Sequence, residues 1–434
     1  MLNVDLKEKL GPFKMLNGAC CFDTANKENF HSYHFQFCRL HDQNSGQFVV
    51  DIAQVFPNFN ADELREESYD FRATDLIISD LVSHGTEVIY RLGNTIDHTP
   101  FPRWSEVPKD YAKWARICEH IIAHYNEGWD NGFTYGIRYW EILNEPDLIY
   151  LDLYTMWQGT EEQYFELYKT ASLYLKKRFP EILIGGYSAA RSRAPFFEHF
   201  LAYARDNKLP LDFFSWHRYG SELDKLVFQI NRVRRMLDEY GFEKTISIID
   251  EFNYAENSWF GNNAWCVYGS NPTLKESFFT RMKNNVGASY LTAAKILMMD
   301  LPVDIALFYD AQHGDFGSLY DQWGSDTKSA KATRAFSELI EGERVITESD
   351  AQDVYIAASE GKDRADVLIS CFECRGSEHD LKITGVRGYK KAKVKLINDF
   401  FFDEVVREQE IESEECIIPL SVRPYNVMHV ILEK

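Results

Sequence analysis

RYWEILNEPD, residues 138–147, is the segment on which the fold turns. Its bulky apolar run breaks into Asn144-Glu145-Pro146, and such a near-continuous run suits a parallel strand buried on both faces. Pro146 disfavours helical geometry at Glu145, so an extended glutamate is expected where the strand opens. Upstream, within residues 109–128, Tyr111, Trp114, Ala115, Cys118, Ile121, Ile122 and Tyr125 recur at three- and four-residue steps, the buried stripe of a helix. Downstream, Thr160 and Gln163 have the capping-box spacing, and the helix they open runs until Pro180. Helix, strand and helix make the local unit.

The same alternation extends in both directions. Helical patterns fit residues 72–84, 195–206, 224–240, 287–299 and 329–341. The strand candidates are FQFCRLH, FVVDIAQVF, EVIYRLG, RYWEIL, ILIGGYS, LDFFSWHRY, TISIIDEF and DIALFYD. Eight strands with interleaved helices are what a (β/α)8 TIM barrel requires. A doubly wound open sheet would prefer a Gly-rich phosphate turn after an early strand, and the sequence has none there. After residue 342 the helices stop. VYIAAS, ADVLISCFE, DLKITGV, KAKVKLIN, EVVREQEI, CIIPLSV and NVMHVILEK read as strands between polar turns. The sequence thus predicts an α/β chain with a C-terminal all-β sandwich. The barrel is expected over 17–341 and the sandwich over 342–434, with 1–16 an N-terminal segment able to join the sandwich.

Composition narrows the partners. Lys+Arg 47 against Asp+Glu 67 gives a formal net charge of −20, which phosphate backbones and anionic membrane surfaces repel in the absence of a basic patch. Neither nucleic acid nor a membrane is therefore expected as a partner. The start MLNVDLKEKLGPFKML has no apolar core of the signal-peptide kind, and no stretch reaches membrane-spanning length, so a cytoplasmic protein is expected. The cysteines have no framework spacing, and Cys371 and Cys374 lie in an apolar strand pattern without a second CxxC. HExxH and DxDxDG motifs are missing too, so no metal or cofactor is expected.

Chemistry in such a barrel belongs at the C-terminal ends of the strands. Glu145 follows the fourth strand and Glu251 the seventh, which puts two carboxylates on one rim. Glycoside cleavage needs that pair: one protonated to help the leaving oxygen depart, the other to attack the anomeric carbon or to activate a water. Glu145 is expected to hold its proton while Glu251 is ionised, since two neighbouring carboxylates are not both charged cheaply. Asp250 should point away from the mouth if the strand alternates.

The motifs also carry a resemblance. YWEILNEPD, with SWHRY and DEFNY downstream, resembles clan A glycoside hydrolases and most closely glycoside hydrolase family 39, which includes β-xylosidases and α-L-iduronidases. RLHD, VDIAQVFPNF, YDFRATD, KWARICEHIIAHYNEGW and MWQGTEEQYFELYK extend the likeness through much of the barrel. The resemblance implies that Glu145 is the general acid/base and Glu251 the nucleophile of a double displacement with retention. It implies that Asn144 donates to the sugar 2-hydroxyl, that His217 and Tyr219 orient the nucleophile or bind sugar hydroxyls, and that His41 binds sugar.

The expected substrate is an oligosaccharide or small glycoside, with β-D-xylosidase activity leading. α-L-Arabinofuranosidase, β-galactosidase and uronidase specificities stay open at this point, as does self-association into a homo-oligomer. A uronidase would need a cation at the sugar carboxylate, and Arg91 is the candidate. The eighth strand, ALFYDAQHGDFGSLYDQWG, departs from the Trp and acidic residues of family β-xylosidases; it is expected to help line the sugar pocket, so Tyr309 and Asp310 leave the identity of the sugar open. His313 with Asp315, and the aromatics Trp259, Phe260 and Trp323, are further rim residues. The rival classes are a barrel that binds carbohydrate without cleaving it and a phosphate-handling isomerase or aldolase. EFNYAENSWFGNN after the seventh strand is acidic and aromatic, a poor phosphate site.

Overall fold

The computed structural model describes residues 1–434 apart from 44–48, 97–104, 152–155, 194, 257–271 and 315. After β1 (Leu2–Gly11) the chain enters a closed barrel of parallel strands taken in chain order. These are β2 (Met15–Cys20), β3 (Phe37–Leu40), β4 (Glu87–Leu92), β5 (Tyr139–Ile142), β6 (Leu183–Ala189), β7 (Phe213–Gly220), β8 (Ile246–Tyr254) and β9 (Ile305–Phe308), which returns to pair with β2. Helices wrap the outside. The helix Glu161–Arg178 opens with a complete capping box: Gln163 N–H donates to Thr160 Oγ1, and Thr160 N–H donates to Gln163 Oε1.

The first two barrel strands differ from the sequence expectation. MLNGAC supplies the first, and FQFCRLH becomes the second. FVVDIAQVF is not a strand: its described part is a turn followed by the short helix Ile52–Val55. Val50, Ile52 and Val55 are buried there without sheet pairing, so burial alone explains the apolar run. MLNGAC hides as a strand because of Asn17 and Gly18. Yet Gly18 is needed where it is, since an added Cβ would meet Leu307 Cγ of β9 at 2.9 Å. Asn17 is satisfied between strand and helices, donating to Tyr33 O and Ser337 Oγ and accepting from Lys295 Nζ.

Inside the barrel, two-residue alternation stacks the side chains in layers. Phe37, Ile89, Tyr139, Phe213, Ile248, Ile305 and Leu307 form an apolar floor. Two residues further along, the same phase brings Arg39, Arg91, Glu141, Ser215 and Asp250 to the next layer, all fully or nearly fully buried. A charged layer above an apolar floor is costly unless every charge is paired, and that demand shapes the mouth.

Beyond the barrel, the strands β10 (Glu343–Ser349), β11 (Tyr355–Glu360), β12 (Arg364–Ser370), β13 (Ser377–Thr384), β14 (Lys391–Ile397), β15 (Phe402–Glu410), β16 (Glu415–Val422) and β17 (Val427–Glu433) form a nine-stranded sheet with β1. Its order is β15-β14-β17-β12-β11-β10-β1-β13-β16, antiparallel except where β1 meets β13. The sheet folds over on itself. Val394 of β14 and Ile418 of β16, near opposite ends of the order, share one apolar core, and Gln409 of β15 donates to Ile417 O of β16 at 3.1 Å. Leu368, Phe372, Ile397 and Val427 pack from the sheet into the barrel's own core cluster. Among the described residues, no helix is long and apolar enough to cross a membrane.

Candidate active site

Arg39 organises the mouth of the barrel. It reaches there because Phe37 points inward and Arg39 lies two residues on. Its Nε and Nη2 contact Glu141 Oε2 at 2.7 and 2.6 Å, Nε lies 3.1 Å from Asp250 Oδ2, and Nη1 donates to Glu251 Oε1 at 2.9 Å. Nη2 also donates to Asn144 Oδ1 at 2.6 Å. A guanidinium offers five N–H groups in a fixed fork, so one residue fixes side chains from β5 and β8 and the turn after β5. Arg39 lies in RLHD but is not among the site residues expected from sequence. The signal was present: a charge in phase with inward-facing Phe37, at the mouth of a predicted barrel. Removing one partner of a buried charge cluster costs about 3–5 kcal/mol. Arg39→Ala is therefore expected to lose about that much unfolding free energy in denaturant titration; a loss under about 1 kcal/mol would show that the carboxylates do not depend on it.

All six residues expected from sequence, Glu145, Glu251, His41, Asn144, His217 and Tyr219, meet in one network. His217 lies between the two glutamates, with Nδ1 2.8 Å from Glu145 Oε1 and Nε2 3.5 Å from Glu251 Oε1. Tyr219 donates its hydroxyl to Glu251 Oε2 at 2.7 Å. Burial pushes that phenol well above its ordinary range, so it stays a donor. Asn144 Oδ1 accepts from Arg39 Nη2 and lies 2.7 Å from Ser188 Oγ, which leaves its NH2 group as the donor for a ligand. His41 Nδ1 accepts from Arg91 Nε at 3.2 Å, so its proton sits on Nε2, 3.8 Å from Glu251 Oε1 and 3.5 Å from Asp42 Oδ1. Burial, with Arg39 and Arg91 nearby, holds His41 well below its usual range and keeps it neutral.

Glu145 is not extended. Its φ is 48°, and Leu143 and Ser188 beside it have φ of 65° and 58°. Left-handed geometry satisfies the pre-proline restriction by a different route, at a cost in strain that such sites commonly carry. The surroundings hold it: Glu145 N–H donates to Ser188 O at 3.1 Å, and buried Asp147 accepts the N–H groups of Ala190 and Arg191.

Asp250 does not point away. The β7–β8 register runs Trp216 to Ile249 and then His217 to Glu251, skipping one residue. Asp250 keeps the inward phase of Ile248, and the bulge turns Glu251 inward as well. Two consecutive carboxylates therefore face the barrel mouth. Asp250 is held down at about 2: burial opposes its charge, but Arg39, His217 and Ser188 outweigh it. Glu251 behaves otherwise. Burial pushes its carboxyl up to about 7 against the pull of His217 and Arg39, with Glu145 and Asp250 adding to the rise. Sequence reasoning put the raised carboxyl at Glu145. The structure puts the deeper burial at Glu251, whose side chain is 7% exposed against 19% for Glu145.

At the rim, Tyr309 donates to Asp42 Oδ2 at 2.8 Å, and its ring packs edge-on to Tyr219. Burial pushes Asp310 up to about 7. Arg91 is fully buried on Asp51 (2.5 Å) and Thr95, the structural ion pair rather than a cation exposed to ligand. His313 pairs with Asp23, while Asp315, Trp259 and Phe260 lie outside the described residues. Trp323 is described and 82% exposed.

Residues 7–264 match the family model described as Glycosyl hydrolases family 39. A β-xylosidase of Caldicellulosiruptor saccharolyticus is 27% identical over 229 residues, which is 48% of this chain and 42% of that protein. A β-xylosidase of Geobacillus stearothermophilus is 30% identical over 148 residues, 33% of this chain and 25% of that protein. The chain thus matches less than half the length of either relative. Among solved structures, a glucosidase from Croceicoccus marinus superposes with a TM-score of 0.82 at 20% identity, covering 100% of this chain and 98% of that one. That likeness concerns the fold.

Proposed function

The chain belongs to glycosyl hydrolases family 39, and from that premise we propose that it removes terminal sugars from small glycosides by double displacement with retention, β-D-xylosides first. The observation that carries the reading is the pair Glu145 and Glu251, joined through His217, with Glu251 held between Arg39 and Tyr219. A carboxylate fixed by two donors is oriented for attack at an anomeric carbon, and Glu145, more exposed, faces the leaving oxygen. Asn144 supplies its free NH2 to the 2-hydroxyl, a contact that strengthens as oxocarbenium character develops.

A neutral glycone fits the surroundings better than a uronic acid. Arg91 is buried on Asp51, and the carboxylate of Asp42, held by the Tyr309 hydroxyl, stands at the rim. The matched β-xylosidases support xylose as the glycone. The test is a nitrophenyl panel of β-xyloside, β-glucoside, α-arabinofuranoside, β-galactoside and β-glucuronide, with the first-formed anomer read by proton NMR. Hydrolysis of a β-glycoside with a β-anomer first supports the reading; an α-anomer first would refute retention, and inactivity on the panel and on oligosaccharides would favour a binding barrel.

The raised Glu251 carboxyl sets a pH limb. The nucleophile must be ionised to attack, and a carboxyl pushed up to about 7 is ionised above that pH and protonated below it. The group titrates with its neighbours, so the limb belongs to the cluster. We expect kcat/KM to fall as pH drops through about 7. A profile flat down to about pH 5 would contradict it.

A further inference from the structure

Ser188, at the mouth end of β6, has four polar neighbours around one hydroxyl. Arg39 Nη2 lies at 2.8 Å, Asn144 Oδ1 at 2.7 Å, Asp250 Oδ2 at 2.5 Å and His217 Nε2 at 2.6 Å. A hydroxyl gives one proton and has two lone pairs. Arg39 can only donate, so it takes one lone pair. Asn144 Oδ1 and Asp250 Oδ2 can only accept, and the charged, closer Asp250 takes the proton. One lone pair remains, facing His217, so Nε2 must carry a hydrogen.

The other side of that ring faces Glu145 Oε1 at 2.8 Å. Around His217 stand Glu145 and Asp147 after β5, Asp250 and Glu251 on β8, Arg39 on β3 across the Ser188 hydroxyl, and His41 after β3. Burial works against a charge on His217, but Glu251 first and then Asp250 hold it well above its ordinary range. An imidazolium there donates through both nitrogens.

Resting on the glycosidase reading, we infer that Asp250 and Ser188 are positioning residues that act through His217 on the acid/base: the chain fixes Nε2–H on Ser188 and Nδ1–H on Glu145 Oε1. Glu145 Oε2 is then the oxygen that carries the transferable proton. In the first half-reaction that proton passes to the glycosidic oxygen as its bond to the anomeric carbon breaks and the bond to Glu251 forms. His217 keeps both protons and stabilises the Glu145 carboxylate produced. In the second half-reaction Glu145 takes a proton from water, whose oxygen displaces Glu251. Asp250 and Ser188 touch no reacting atom.

The test compares wild type, Ser188→Ala and Asp250→Asn, as full chains, on methyl and 2,4-dinitrophenyl glycosides of the same sugar. Acid assistance matters for methanol as leaving group and hardly for dinitrophenolate. Ser188→Ala is expected to lose about tenfold in kcat/KM on the methyl glycoside and less than about threefold on the dinitrophenyl one. Asp250→Asn removes a charge that supports the imidazolium, so the basic limb of kcat/KM should move down by about one pH unit. Equal losses on both substrates, or an unmoved basic limb, would overturn the chain as a device for acid catalysis. A wild type inert on both substrates, on the nitrophenyl panel and on oligosaccharides would overturn the glycosidase reading itself, and the chain with it.

Discussion

Glu251→Ala is expected to lower kcat by at least about a thousandfold on every glycoside, because no other group can form the covalent intermediate. Asp250 is adjacent and also faces the mouth, but it is bound to Arg39 and Ser188 and held at about 2, ionised and engaged. It makes a poor substitute nucleophile. The truncation also empties the space between Arg39 Nη1 and Tyr219 Oη, both of which donate to Glu251 in the intact protein. A small anion fits that space and those donors. Added azide should therefore restore turnover and give a glycosyl azide of inverted configuration, since one displacement replaces two. The readouts are initial rate against azide concentration and the anomeric configuration of the azide product. Full activity in Glu251→Ala without azide would remove it from the reaction altogether.

Much of this site is legible in the sequence. Glu145 and Glu251 stand at the ends of the fourth and seventh strands because RYWEIL and TISIID are long apolar runs, and such runs declare buried strands. The first barrel strand was not legible, because Asn17 and Gly18 interrupt it. Their reasons are tertiary: a close approach to Leu307 and a polar tie to Lys295. FVVDIAQVF misled for the converse reason. Its apolar residues are buried in a loop, where Ile52 N–H donates to Gly93 O rather than to a strand partner, and Asp51 turns in to hold Arg91. Periodicity reports burial, not sheet pairing.

Asp250 shows a second limit. Strict alternation forces a choice between Asp250 and Glu251, and the chain makes none, because one skipped residue opposite His217 brings both inside. Bulges leave no compositional mark of their own. Arg39, by contrast, carries a readable signal. Its phase from Phe37 and the matching phase of Glu141 from Tyr139 place opposite charges in one buried layer. An inward charge on a predicted barrel strand needs a partner, and the search for that partner leads directly to the mouth.

Glu145→Ala is expected to separate the two half-reactions. Without the acid, departure of a poor leaving group loses the proton it needs, a loss of about a hundredfold to ten-thousandfold. A dinitrophenolate leaves without that help, so the first step on a dinitrophenyl glycoside should remain fast. The second step then lacks a base to activate water, and the glycosyl ester on Glu251 should accumulate. A burst of dinitrophenolate close to one equivalent of enzyme, followed by a slow steady rate, is the expected trace. Intact-mass measurement after quenching should find the protein heavier by one glycosyl unit. Azide can attack the ester without general base assistance, so it should raise the steady rate and yield a product of retained configuration, the opposite of the Glu251→Ala outcome. The surroundings permit this clean reading, since Glu145 is held by His217 and its own backbone while Arg39 and Tyr219 hold Glu251 independently. Equal losses on good and poor leaving groups, with no burst, would count against Glu145 as the acid/base.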